Sequence, residues 1–329
     1  MKAINIYEQG PNATLRLEEV EEIQPGLFEV KIDVSAAGVN RADLLQKMGK
    51  YPPPNGVSPI LGLEVAGVII EKGDKVSGFN IGDRVMALLS GGGYAEQVIV
   101  DYRMLLSIPT HLSYVQAAAI PEVFLTAYQC LYGLAKLVKA ETLLVHAGAS
   151  GVGSAAIQLA LASEAKVLIT AGSDEKIKFC EGLGAFGGCN YRVQPSFDYW
   201  VNEVTLDAGA HVILDCVGGS YLSKNINCAA LDARIVLIAF MENPKAHEVS
   251  LPLILQKRLT IMGSTLRARS LAYKAELIRQ FKMDFESFLK RGIIKPVIDT
   301  VLPWTNVAQA HEILEKNQNM GKVILQIKD

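Results

Sequence analysis

The sequence predicts an α/β protein made of an irregular, mostly antiparallel β domain and a doubly wound parallel-sheet domain. Three observations carry this expectation. Apolar runs and helical patterns alternate strictly from residue 143 to 264. One junction in that run, Gly148-Ala149-Ser150-Gly151-Val152-Gly153, is a glycine-rich turn between a branched apolar stretch and an Ala-rich helix. Residues 1–109 instead read as short strands parted by Gly and Pro.

Taken in order, strands are expected at 2–7, 15–20, 29–39, 65–71, 84–89 and 94–100, with one helix starting near Arg41 and ending at Gly49. The loop Tyr51-Pro52-Pro53-Pro54 follows. Its prolines fix φ and lower the entropy cost of order, so either Tyr51 is held at a site or it packs on the domain surface. Residues 113–137 are Ala- and Leu-rich at helical spacing, interrupted by Pro121. Strands at 143–147, 166–171, 189–191, 211–216, 234–240 and 259–264 then alternate with helices at 151–163, 174–182, 196–205, 220–230 and 251–257, the pattern of right-handed crossovers in a parallel sheet. A long amphipathic helix over 270–291, strand 297–302, helix 306–317 and strand 322–328 end the chain. These last strands are expected to return to the first domain, giving domains 1–122, 123–265 and a returning segment 266–329.

Half of the 329 residues are apolar, and 32 Lys plus Arg nearly balance 34 Asp plus Glu. A near-neutral chain argues against nucleic acid or membrane as partner and for a small molecule. The start, MKAINIYEQG, lacks a basic segment followed by an apolar run, and no stretch approaches the ~18 apolar residues of a membrane span. The expected location is the cytoplasm. Five cysteines without a CxxC pair read as free thiols, and five scattered histidines show no metal-ligand spacing.

The glycine-rich turn carries the main functional expectation. A helix start exposes unpaired N–H groups and the positive end of the helix dipole, and glycines let a pyrophosphate approach the backbone closely. In the G-x-G-x-x-G frame the positions are Gly148, Ser150 and Gly153, so a serine that can cap the helix stands in the middle. Gly148, Ser150, Gly151, Val152 and Gly153 are therefore expected to hold a dinucleotide. At the end of the next strand stand Gly172-Ser173, where an NAD-binding unit places a carboxylate; Asp174 follows at once, which leaves NAD open. Lys176 sits in the first turn of the next helix, against the dipole. Ser173, Lys176 and Tyr191 are expected to enclose a ribose 2′-phosphate, making NADPH the cofactor.

Several blocks in the right order, AGVNRAD (37–43), GLEVAG (62–67), GDRV (82–85), GGGYAE (91–96), AAIP (118–121), AGASGVG (147–153) and ILDCVGG (213–219), make the chain resemble the medium-chain dehydrogenase/reductases over essentially its whole length, in the quinone oxidoreductase (zeta-crystallin-like) group. That resemblance implies a GroES-like first domain and a Rossmann second domain. It implies Thr126 on the ribose, Val217, Ala239 and Phe240 along the strand tips, and Asn40, Tyr51 and Lys322 around the nicotinamide and the quinone, with Asn40 and Tyr51 as the catalytic pair. It also implies a homodimer, formed through the strand at 259–264. Zinc alcohol dehydrogenases of the same superfamily carry a cysteine where this chain has Asn40, a histidine where it has Leu63, and a four-cysteine lobe near Gly92. None of those ligands is present, so no metal is expected, and reversible alcohol oxidation is disfavoured. Zinc-independent hydride transfer from NADPH to a quinone is the expected reaction. Reduction of activated C=C bonds and a non-enzymatic NADPH-binding role are the alternatives. Glu64 is expected to be a buried carboxylate paired with an arginine, the alternative being a proton donor, and no residue is assigned as an essential acid.

Overall fold

The computed structural model describes residues 1–328. The chain falls into two compact units, one of residues 1–125, 266–290 and 295 onward, the other of residues 126–265 and 291–294. The first unit opens with the antiparallel pair β1 (Lys2–Tyr7) and β2 (Thr14–Glu19). Then come β3 (Glu29–Val39), α1 (Arg41–Lys47), β4 (Glu64–Lys72), β5 (Arg84–Leu88), β6 (Gln97–Asp101), β7 (Leu105–Ser107), α2 (Tyr114–Ala117) and α3 (Pro121–Tyr128). Pro121 begins α3 rather than interrupting a longer helix, because the first turn needs no N–H from it. Beyond α3 the chain winds as a π-helix over Gln129–Leu134.

The second unit is built from β8 (Thr142–His146), α4 (Gly151–Ala162), β9 (Lys166–Ala171), α5 (Asp174–Gly182), β10 (Gly187–Asn190), α6 (Phe197–Thr205), β11 (Ala210–Asp215), α7 (Tyr221–Cys228), β12 (Ala229–Leu237), α8 (Leu251–Lys257) and β13 (Thr260–Gly263). Its six strands are parallel in the order β10-β9-β8-β11-β12-β13. The order reverses beside β8, so the ends of β8, β9 and β11 border the crevice where such sheets bind ligands. Continuous burial from Thr142 to His146 marks β8 as a central strand covered on both faces. In α4, Ala155, Ala156, Ile157, Leu159 and Ala160 are fully covered, and each buried Ile or Leu contributes about 1.5–3 kcal/mol.

The rest of the chain, α9 (Leu271–Lys290), β14 (Ile298–Pro303), α10 (Val307–Glu315) and β15 (Lys322–Gln326), rejoins the first unit. There the sheet order is β14-β15-β3-β4-β5-β7, with β6 also paired to β3. Strand β15 lies antiparallel to β3, with Val323 opposite Val39, which brings Lys322 to the start of α1. Among the described residues no helix is long and apolar enough to cross a membrane.

Candidate active site

In the second unit, β8 leads into Ala147, whose φ of 52° starts the turn. A Cβ on Gly148 would lie 2.7 Å from the Ile169 side chain, and one on Gly153 would lie 2.5 Å from the carbonyl oxygens of Ala147 and Gly148. Both glycines are thus demanded by packing. The middle position needs no glycine: Ser150 has φ −72°, caps α4, and its Oγ accepts the Gly153 N–H at 3.0 Å. The Gly151 and Val152 N–H groups have no partner among the described residues, which is the arrangement a phosphate requires.

At the end of β9, a Cβ on Gly172 would meet the Tyr191 hydroxyl at 2.7 Å and the Arg192 Nε at 3.4 Å. Ser173 caps α5, its Oγ accepting the Lys176 N–H at 3.3 Å. The structure therefore brings Gly172, Ser173 and Tyr191 together at one strand end, with the Lys176 backbone in the first turn of α5, and adds Arg192. Its only sequence signal was the cation next to Tyr191. Asp174, the carboxylate that left NAD open, accepts a hydrogen bond from Asn190 Nδ2 at 2.8 Å.

A buried chain fixes the tip of β11. Asp215 Oδ1 accepts the N–H groups of Val217 and Gly218 at 2.7 and 3.0 Å, and its Oδ2 accepts from Asn225 Nδ2 at 2.9 Å. Asn225 Oδ1 lies 2.7 Å from His146 Nε2, while His146 Nδ1 lies 2.9 Å from Thr170 Oγ1. Burial lowers the His146 pKa and keeps the ring neutral. An amide oxygen only accepts, so Nε2 carries the proton and Nδ1 accepts from Thr170. Val217 also accepts from the Glu242 N–H at 3.0 Å, so its backbone is spent and its side chain is what it presents. Strand β12 ends at Leu237, leaving Ala239 and the exposed Phe240 beyond it rather than inside a strand reaching 240. The covered Thr126 Oγ1 has no hydrogen-bond partner among the described residues, as suits a hydroxyl awaiting a ligand.

The first unit holds a cluster of charged side chains around Asn40. Asn40 caps α1, and its N–H is accepted by Asp43 Oδ2 at 2.8 Å. Its amide oxygen accepts from Lys322 Nζ at 2.7 Å, and its Nδ2 donates to Glu64 Oε1 at 2.9 Å. Lys322 also donates to the Val39 carbonyl at 2.7 Å and pairs with Glu64 Oε1 at 2.6 Å. The partner of Glu64 is thus a lysine and not the expected arginine: antiparallel β15 sets Lys322 beside the buried carboxylate. All three protons of Lys322 are taken, so its place in this geometry is to hold Asn40 and Glu64. Glu64 Oε2 accepts the Glu122 N–H at 2.8 Å, and a Cβ on Gly38 would collide with Glu64 Oε1 at 2.3 Å. Asp43 accepts as well from the Gly62 N–H at 3.1 Å and the Tyr94 hydroxyl at 3.0 Å; burial outweighs these bonds and lifts its pKa to about 6.

Tyr51 is half-buried with the Arg267 guanidinium over its ring, 5.4 Å from the centroid. Arg267 donates to the carbonyls of Ser90 at 2.7 Å and Tyr51 at 3.3 Å, and to Gln46 Oε1 at 2.7 Å. It therefore fastens the proline-rich loop, and sequence reasoning had no signal for it because it enters from a distant segment. Desolvation and then the nearby Glu122 raise the Tyr51 pKa. Glu122, also unforeseen, stands at about 8: desolvation dominates, and the Glu64 carboxylate adds to it. Among the described residues no three His, Cys, Asp or Glu side chains gather as a metal site would require.

Residues 25–110 match the family model of the alcohol dehydrogenase GroES-like domain, and residues 151–282 match that of the zinc-binding dehydrogenases. A quinone oxidoreductase from Lama guanicoe is 32% identical over 100% of this chain and 98% of its own. Among solved structures, an NAD-dependent alcohol dehydrogenase is similar with a TM-score of 0.85 at 30% identity, covering 99% of this chain and 100% of that one. The CurK enoyl reductase has a TM-score of 0.87 at 26% identity, covering 99% and 98%.

Proposed function

The chain belongs to the medium-chain dehydrogenase/reductase family of nicotinamide-dependent oxidoreductases, and from that premise we propose that it is a zinc-independent NADPH:quinone oxidoreductase. The observation that carries the cofactor choice is the end of β9. Tyr191 and Arg192 approach Gly172, Ser173 follows it and caps α5 through the Lys176 N–H, and Asp174 is tied to Asn190. Cations and hydroxyls there suit a 2′-phosphate, whose charge needs fixed donors. In this reading Gly148, Ser150, Gly151, Val152 and Gly153 hold the pyrophosphate, Thr126 takes a ribose hydroxyl, and Val217, Ala239 and Phe240 line the strand tips. Bound NADPH supplies a hydride. Asn40, anchored by Lys322, and Tyr51, anchored by Arg267, form the acceptor-facing part of the first domain.

The quinone choice rests on the relative named quinone oxidoreductase and on Asn40 and Leu63, which stand where zinc enzymes keep ligands. An electron-poor ring accepts hydride without a Lewis acid once it is held at near-attack distance. The similarity to an enoyl reductase keeps C=C reduction as the second reading. Mixing the protein with NADPH and either 1,4-naphthoquinone or 2-cyclohexenone separates the two. Faster oxidation with the quinone, unchanged by a chelator, is expected; a faster enone or a chelator-sensitive rate contradicts the proposal.

The expected homodimer would form through β13, which among the described residues is paired only to β12. Ile261 on this strand and Leu251 and Leu255 on α8 are exposed apolar side chains, as an interface between copies needs. Sedimentation at micromolar concentration reads the mass; a monomer contradicts this assembly.

A further inference from the structure

The parallel sheet of the second unit carries a buried hydrogen-bond chain in which every link has one sense. The Asp215 carboxylate only accepts, so Asn225 turns its Nδ2 toward it at 2.9 Å and leaves its own Oδ1 for His146. That oxygen only accepts as well. His146 therefore donates from Nε2 at 2.7 Å, and its Nδ1 takes the Thr170 hydroxyl proton at 2.9 Å. All four residues are buried, His146 at 2% exposure and the others at 0%, so bulk water does not compete for these bonds. The imidazole also packs edge-on against Phe197 and Tyr221, each with its ring centroid 4.8 Å away.

The chain crosses the carboxyl ends of three adjacent strands, in the order β9-β8-β11. Thr170 is next to last in β9, His146 is last in β8, and Asp215 is last in β11. At one end the Thr170 carbonyl accepts the Gly148 N–H at 3.1 Å, which ties the glycine-rich turn to β9. At the other end Asp215 Oδ1 gathers the N–H groups of Val217 and Gly218. That tip holds the segment after β12 in its turn. The Met241 and Glu242 N–H groups donate to the carbonyls of Cys216 and Val217 at 3.2 and 3.0 Å, and a Cβ on Gly218 would lie 3.1 Å from Phe240 Cβ. The glycine-rich turn, Val217 and Phe240 are thus joined by one run of oriented bonds and close contacts.

We propose that Thr170, His146 and Asn225 are positioning residues for the cofactor, a role that rests on the reading of these strand ends as an NADPH site. None of the three touches the dinucleotide in this account; they act through Asp215. Together they set Val217 and the Ala239-Phe240 segment in register with the glycine-rich turn, so that the half of the dinucleotide beyond the pyrophosphate meets a preformed surface. A preformed surface needs no ordering when the ligand arrives. Loss of the chain should therefore weaken the whole dinucleotide and spare its adenosine end, which lies beside β9.

The test titrates NADPH and 2′,5′-ADP, which lacks the nicotinamide half, into the full-length wild type, His146→Leu and His146→Gln by calorimetry. Leucine fills the space without either bond, whereas a glutamine amide can donate to Asn225 Oδ1 in place of Nε2. His146→Leu is expected to bind NADPH about tenfold more weakly, the share of one hydrogen bond. His146→Gln should keep most of the wild-type affinity, and all three proteins should hold 2′,5′-ADP equally. Unchanged NADPH affinity in His146→Leu overturns the role. Equal losses for NADPH and 2′,5′-ADP overturn it too, since a general loosening of the fold produces them. A glutamine variant as weak as the leucine one assigns the imidazole to its packing on Phe197 and Tyr221 and has the same force. If His146→Leu does not fold, two measurements remain. Histidine nitrogen NMR of the wild type should show the His146 proton on Nε2, and Thr170→Val, which keeps the shape of threonine, should weaken NADPH and spare 2′,5′-ADP. A proton on Nδ1, or unchanged NADPH affinity in Thr170→Val, overturns the proposal. Failure of the phosphate reading is visible separately. A wild type that binds NADH as tightly as NADPH and 5′-AMP as tightly as 2′,5′-ADP removes the 2′-phosphate site, and the same variants are then compared on NADH and 5′-AMP. There, loss confined to NADH upholds the positioning role, and equal losses or none overturn it.

Discussion

Replacing Lys322 with methionine is expected to lower the unfolding free energy by about 3–5 kcal/mol. The Glu64 side chain is fully covered, and its ion pair with Lys322 at 2.6 Å is the only cationic contact it makes among the described residues. Removing the lysine leaves a carboxylate in a dry site with two remaining donors, the Asn40 amide and the Glu122 N–H. Surface pairs such as Lys139–Glu164 contribute far less because water screens them. Guanidinium unfolding measures the difference. The double variant Lys322→Met with Glu64→Gln should regain part of the loss, since the buried charge goes with its partner. A single variant as stable as the wild type would show that the pair does not hold Asn40 and α3 as described.

Lys176→Ala is expected to weaken NADPH binding about 10- to 100-fold and to leave NADH binding nearly unchanged. A hydrogen bond to a charged group contributes about 1.5–3 kcal/mol, and each 1.4 kcal/mol is a factor of ten. The change is confined to the 2′-phosphate because the Ser173 hydroxyl bonds the Lys176 backbone N–H, which alanine retains, so the cap of α5 survives. Titration of each nucleotide by quenching of protein fluorescence measures both affinities. Equal losses for the two cofactors would assign Lys176 to the helix and not to a phosphate.

Most of the architecture was legible because hydrophobic period and glycine position act locally. Strands β1, β3 and β9 and helices α5 and α8 fall at the expected bounds, since each has a sharp stop such as Asn40, Ser173 or Arg258. The π-helix at Gln129–Leu134 was not legible: one extra residue per turn barely disturbs an Ala- and Leu-rich pattern. Strand β12 begins earlier than expected because Ala229 and Ala230 are small enough to enter the sheet directly after α7, leaving no polar break to read. The proposed nucleotide side draws on contiguous stretches, Gly148–Gly153 and Gly172–Lys176, whose turns and helix caps are local features. On the acceptor side Asn40, Tyr51 and Lys322 entered only through the family resemblance, and Arg267 and Glu122 were not foreseen. Glu64, Lys322, Arg267 and Glu122 come from four distant segments, and only the pairing of β15 with β3 and the packing around Ser90 bring them together. A lysine in a final strand and a glutamate after a proline carry no signal of their own.

The central claim, that the end of β9 selects NADPH for reduction of a quinone, is tested most directly by the ratio of kcat/KM for NADPH and NADH with 1,4-naphthoquinone as acceptor. The proposed 2′-phosphate site at Ser173, Lys176, Tyr191 and Arg192 predicts a preference for NADPH of about tenfold or more, the share of one charged hydrogen bond. Equal use of the two cofactors, or a preference for NADH, would contradict it.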